Sequence, residues 1–281
     1  MTDQALEFSC AGTAMLGILS LPEQKRDTGV IIVVGGPQYR AGSHRQFVLL
    51  ARQLAGAGFA TLRFDQRGSG DSGGDQRSFE QLDDDIRAAI DALMEAQPHL
   101  RRVVLWGLCD AASAALLYCA RREDSRVAGL CLLNPWARSV ASLARTQIKH
   151  YYVRRLMQRG FWLKLLRGGV GGTALTDLLQ NARAARGKTA AKLDGPFQDQ
   201  MAHAWQGFAG PMLLVISGDD YTAKEFLDHA RADGKWDGAL QRANVQRFDL
   251  PESDHTFSSR AASSALERQC CTWLTAQFPN P

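Results

Sequence analysis

Apolar residues fall along this chain in short unbroken runs that alternate with stretches of helical period. Val30 to Val34 is a β-branched run that stops at Gly35-Gly36-Pro37-Gln38, which predicts a parallel strand buried on both faces and a loop that exposes its backbone. Phe47, Leu50, Ala51 and Leu54 then recur at helical spacing, and Gly56-Ala57-Gly58 closes that helix. Ala60 to Phe64 predicts the next strand, followed by a polar, glycine-punctuated turn and an acidic helix that begins near Ser78. Four more strands are expected at Val103 to Leu108, Val127 to Leu133, Met212 to Ser217 and Val245 to Leu250. A helix starts at about Thr222, and a final one, from about Ser259 to Phe278, buries Leu266, Cys270, Trp273 and Leu274. Glu7 to Leu21 reads as an antiparallel hairpin at a sheet edge. Strands separated by helices of roughly 10 to 15 residues define an α/β protein with a mostly parallel, doubly wound sheet.

That rhythm breaks between Trp136 and Trp205, where no β-branched run occurs. The segment holds twelve Lys or Arg against three acids, a difference of +9 in a chain whose formal charge is +4. The expected organisation is therefore a core of residues 1–135 and 206–281 with a basic helical cap, 136–205, inserted into it. Tyr152, Val153, Leu156, Met157 and Gly160 share one helical face and Arg154, Arg155, Gln158 and Arg159 the other, so a basic amphipathic helix is expected, followed by a glycine-rich break at Gly168 to Gly172. Arg154, Arg155 and Arg159 would then face an anionic partner such as a CoA-type carrier, a lipid-linked phosphate or a membrane surface, against the plainer reading of a solvated face.

At 281 residues and 45% hydrophobic composition the chain can bury a sizeable core. Met-Thr-Asp-Gln lacks the basic and apolar regions of a signal peptide, and no uninterrupted apolar stretch approaches the roughly 18 residues of a membrane span. A cytoplasmic protein is expected, with peripheral contact to the inner membrane through the basic cap. Six cysteines show no C-x-x-C pair and no zinc spacing, so neither a disulfide framework nor a metal site is indicated, and no cofactor or nucleic-acid partner is expected. The oligomeric state stays open.

Candidate chemistry concentrates where one strand turns sharply into an alanine-rich helix, at Gly107-Leu108-Cys109-Asp110-Ala111. This is the spacing of a nucleophile elbow, with cysteine where serine is usual and alanine in place of the second glycine. The strand at Met212 ends in Gly218-Asp219-Asp220, and the strand at Val245 leads to Asp254-His255. Nucleophile, acid and histidine thus follow one strand, a later strand and the last strand, in the order expected of a triad, and strand exits at the carboxyl edge can converge. A thiol with an ordinary pKa near 8.5 needs an adjacent imidazole to deprotonate it. Asp219 and Asp220 both remain candidates for the acid, the other being free to cap the following helix. Two backbone donors should form the oxyanion hole: the N–H of Asp110 and, because Pro37 carries no N–H, that of Gln38, with Tyr39 next. His44 and Tyr39 are candidate substrate contacts. The carboxylate of Asp110, beside the thiol, should oppose thiolate formation.

Five segments carry a family resemblance: Gly35 to Arg45, Arg63 to Ser72, Trp106 to Ser113, Ser217 to Phe226 and Asp254 to Phe257. In this order they resemble the α/β-hydrolase superfamily and, within it, the first hydrolase type associated with exosortase A systems, found near exopolysaccharide and protein-sorting genes in Gram-negative bacteria. The resemblance implies a cytoplasmic α/β-hydrolase fold with an inserted lid, a cysteine nucleophile, and an ester or thioester substrate connected with envelope polysaccharide. In that family one variable residue separates the glycine from the acid, which favours Asp220. Cys109, Asp110 and Gly35 depart from the wider superfamily. Two rivals follow: a dienelactone-hydrolase-like enzyme acting on small soluble substrates, and a non-catalytic hydrolase-fold scaffold.

Overall fold

A computed structural model describes residues 1–36, 38–138 and 195–280. The described strands are β1 (Thr2–Cys10), β2 (Thr13–Leu21), β3 (Thr28–Val33), β4 (Thr61–Phe64), β5 (Arg102–Leu108), β6 (Val127–Leu133), β7 (Met212–Ser217) and β8 (Val245–Leu250). They form one sheet in the order β1-β2-β4-β3-β5-β6-β7-β8. The β1–β2 hairpin and the β2–β4 pair are antiparallel, and every pair from β4 across to β8 is parallel. This is the expected α/β-hydrolase sheet. The edge hairpin is longer than the sequence pattern suggested, because β1 alternates exposed and half-buried positions and carries little apolar signal before Leu6.

The major helices are α1 (Gln46–Gly56), α2 (Asp83–Ala96), α3 (Asp110–Arg121), α4 (Phe197–Gly207), α5 (Tyr221–Ala232) and α6 (Arg260–Gln277). Side chains on alternate positions of a strand leave opposite faces, so a sheet covered on both sides needs apolar residues at every position. In β5, Val103 and Leu105 enter a core completed by α2 to α5, whereas Val104, Trp106 and Leu108 enter one completed by α1 and α6. The three aspartates that open α2 stand at the positive end of its dipole.

One compact unit contains Met1–Ala137 and Leu193–Pro281. α4, at the end of the stretch expected as a cap, packs in this unit through Met201 and Trp205, the latter donating its indole N–H to the Ala239 carbonyl at 2.8 Å. Residues 139–194, with Arg154, Arg155 and Arg159, lie outside the described residues.

Register aligns the strand ends. Val33 pairs with Gly107, Leu108 with Leu133, Leu133 with Val215, and Ser217 with Leu250. The loops after β3, β5, β7 and β8 therefore leave from the same carboxyl edge.

Candidate active site

Cys109 stands between β5 and α3 at φ 62 and ψ −124. A non-glycine residue held there costs on the order of 1 to 3 kcal/mol, which the surroundings must supply. They do so through the backbone: Cys109 donates its N–H to the Leu133 carbonyl at 2.9 Å, and its own carbonyl accepts the N–H groups of Ala112 at 3.1 Å and Trp136 at 3.2 Å. The turn is so tight that a Cβ on Gly107 would lie 2.6 Å from the Ala111 carbonyl carbon. That closeness explains the glycine two residues before the thiol, and Ala111, fully buried, satisfies the small-residue requirement on its other side.

His255 and Asp220 meet from neighbouring strand exits. The ends of β7 and β8 are laced together by Gly218 N–H to Leu250 O at 2.9 Å and Asp219 N–H to Ser253 O at 3.0 Å. The Asp220 carboxylate, buried at the start of α5, then lies 2.8 Å from His255 Nδ1. Its oxygens also accept the N–H groups of Thr222 at 3.0 Å and Ala223 at 3.3 Å. The carboxylate that meets the histidine and the one that caps the helix, expected to be two residues, are both Asp220. Hydrogen bonding to Asp220, and next to Cys109, raises the His255 pKa to about 10 against the opposing effect of burial. With Nδ1 engaged by Asp220, Nε2 is the atom left for the thiol. Sequence patterning missed a buttress below this pair: buried Asn134 donates to Ser217 Oγ at 2.9 Å and accepts the Ser217 N–H at 2.8 Å, joining the ends of β6 and β7. A lone polar residue closing the apolar run of β6 was its only signal.

On the opposite side of Cys109 the Asp110 carboxylate accepts the Gly36 N–H at 2.9 Å. Burial raises its pKa, and the N–H groups of Gly36, Ala111 and Asp110 itself, with the charge of His255, oppose that rise. The Gly36 carbonyl accepts from Gln66 Nε2 at 3.5 Å. Farther along the loop, Arg40 donates its backbone N–H to Asp65 at 2.6 Å, and its guanidinium pairs with Asp65 and Asp71.

Gln38 and Asp110 join Cys109 and His255 around a cavity of about 350 Å³ whose remaining wall includes Phe47, Phe79, Leu108 and Trp136. These aromatics come from three separate segments and carried no sequence signal for the site. No Lys or Arg is among the described residues that line it. Tyr39, half exposed, lines a neighbouring cleft with Ser43, Gly68 and Gly70 instead, and His44, in a left-handed turn, is absent from the lining of both. Among the described residues no cluster of His, Cys, Asp or Glu could hold a metal ion, all six cysteines are free thiols, and no helix is long and apolar enough to cross a membrane.

A mostly parallel sheet with its elbow, and an aspartate–histidine pair at the same edge, define an α/β-hydrolase. Residues 26–225 match the family model described as serine aminopeptidase, S33 (Hydrolase_4), and the chain belongs to that hydrolase family. It is similar in structure to the esterase Pf2001 of Pyrococcus furiosus, with TM-score 0.65, 14% identity, and 99% of this chain and 93% of that one covered. A highly thermostable carboxyl esterase from Bacillus coagulans gives TM-score 0.64 at 15% identity, with 99% of each chain covered. XC6422 of Xanthomonas campestris, described as an α/β serine hydrolase without lid, gives TM-score 0.61 at 14% identity, covering 100% of this chain and 97% of that one. No curated protein matches the chain.

Proposed function

We propose that the protein hydrolyses or transfers an acyl group from an ester or thioester through an acyl-cysteine intermediate. The observation that carries this reading is the 2.8 Å contact between His255 Nδ1 and Asp220 beside a cysteine in the strained elbow conformation. The Cys109 thiolate attacks the acyl carbon, forming the C–S bond, and the tetrahedral oxyanion is met by the N–H groups of Asp110 and Gln38. Collapse breaks the bond to the leaving oxygen or sulfur, which takes the proton held on His255 Nε2. Water or another acceptor then attacks the thioester, gives its proton to His255 and releases the acyl product and the thiolate. Asp220 keeps the imidazole in the orientation and tautomer that both steps use.

The resemblance to exosortase-associated hydrolases adds the expectation of a cytoplasmic role in envelope exopolysaccharide biosynthesis, with an inserted basic cap whose Arg154, Arg155 and Arg159 meet an anionic carrier or the inner membrane. Flotation with anionic liposomes at low and high salt tests the membrane arm; binding absent at low salt removes it. One observation favours a second reading, the dienelactone-like one: the cavity is small and its described lining carries no cation. The decisive measurement is intact mass after exposure to p-nitrophenyl acyl esters of increasing chain length. Acylation of the wild type, lost in Cys109→Ala, is expected; an adduct that persists in that variant removes Cys109 from the mechanism, and neither adduct nor p-nitrophenolate release with any ester returns the chain to the scaffold reading.

A further inference from the structure

The loop after β3 is anchored on both sides of Gln38. On one side Gly36 is held twice, its N–H by the Asp110 carboxylate at 2.9 Å and its carbonyl by Gln66 Nε2 at 3.5 Å. On the other, the Arg40 N–H is held by the buried Asp65 carboxylate at 2.6 Å. Between these anchors lie Pro37, which has no N–H to offer, Gln38, which lines the same cavity as Cys109 and His255, and Tyr39, which lines the neighbouring cleft and not that cavity. The Gly36 N–H is engaged by Asp110, which leaves Gln38 to supply the loop's donor.

Asp110 is the only one of these anchors that comes from the elbow itself. A Cβ on Gly35 would lie 2.0 Å from Asp110 Oδ1 and 3.0 Å from the Ala111 N, so the loop and the elbow touch with no room for a side chain. We propose that the Asp110 carboxylate is a positioning group for the oxyanion loop: by accepting the Gly36 N–H it seats the Gly35-Gly36 turn against the elbow and so sets where Gln38 presents its donor to the cavity. This role rests on the acyl-cysteine reading given above. Oxyanion stabilisation depends on donors fixed before the charge develops, and a displacement of the order of 1 Å is enough to forfeit much of it.

Two reactions of the same sulfur separate this role from a merely structural one. Acylation by p-nitrophenyl acetate passes through an oxyanion, whereas alkylation by iodoacetamide does not. In Asp110→Ala, and independently in Gly35→Ala, acylation of Cys109 should fall by about 10- to 100-fold while alkylation stays within about 3-fold of wild type or rises. Asp110→Asn keeps one acceptor oxygen for Gly36 and should fall between wild type and Asp110→Ala. An acylation rate unchanged in Asp110→Ala overturns the proposal, as does a parallel fall of acylation and alkylation, which marks general damage to the elbow. A wild type that alkylates but is never acylated sinks the acyl-cysteine reading and this role with it; an acylated wild type with an indifferent Asp110→Ala sinks this role alone.

Discussion

Asp220 holds His255 Nδ1 at 2.8 Å while the same carboxylate caps the first turn of α5 through Thr222 and Ala223. The carboxylate that meets the imidazole is therefore also held by the helix it begins. Asp219, one residue earlier, donates its backbone N–H to the Ser253 carbonyl and serves to join the two strand exits.

The difference between these neighbours is measurable. Asp220→Asn should reduce acylation and turnover by about 10³- to 10⁴-fold, since an amide in that place presents the wrong tautomer to the ring. Asp219→Asn should stay within about 5-fold of wild type, because the carboxylate that reaches His255 Nδ1 is that of Asp220. Single-turnover kinetics of both variants decide the matter, and equal losses would contradict the assignment of Asp220.

A second expectation concerns pH. His255 is raised from 6.5 to about 10, by Asp220 first and Cys109 next. A basic group raised in the folded state contributes stability that is fully present below its unfolded pKa and is lost as pH rises through the folded one. The stabilisation from this pair should accordingly be complete below about pH 6.5 and decline as pH passes about 10. The Tm difference between wild type and Asp220→Asn should shrink across that window, and a difference that widens with pH would reverse the sign of the coupling.

Away from the sulfur, the Arg67–Asp85 pair ties the turn after β4 to α2. Asp85 is fully buried, accepts the Arg67 backbone N–H at 2.9 Å and is gripped by the guanidinium at 2.7 Å. Removing one partner strands the other charge in the interior, so Asp85→Ala should cost about 3 to 5 kcal/mol. Urea denaturation gives the value directly; a loss under about 1 kcal/mol would show that the guanidinium finds water or another partner.

Local pattern was a sufficient guide to the frame. Val30 to Val34 and Val103 to Leu108 are apolar at every position or nearly so, because both faces of a central parallel strand are covered, and that requirement is written in consecutive residues. The candidate triad was legible as an order: Cys109, Asp220 and His255 each follow a strand, and the carboxyl ends of parallel strands lie at one edge. The choice between Asp219 and Asp220 needed the family pattern in addition, since both sit in the same turn.

What pattern could not carry were relationships across long separations in the chain. That Asp110 reaches Gly36, that Asn134 clasps Ser217, and that Phe47, Phe79 and Trp136 share one cavity wall depend on the register of β3, β5, β6 and β7 and on how closely their exits approach. By itself the sequence determined most of the strands, the mostly parallel character of the sheet and the residue types delivered to the carboxyl edge. Only the tertiary structure decided which atoms met there, because hydrophobic period is a property of neighbouring residues whereas a hydrogen bond across 74 positions is set by packing.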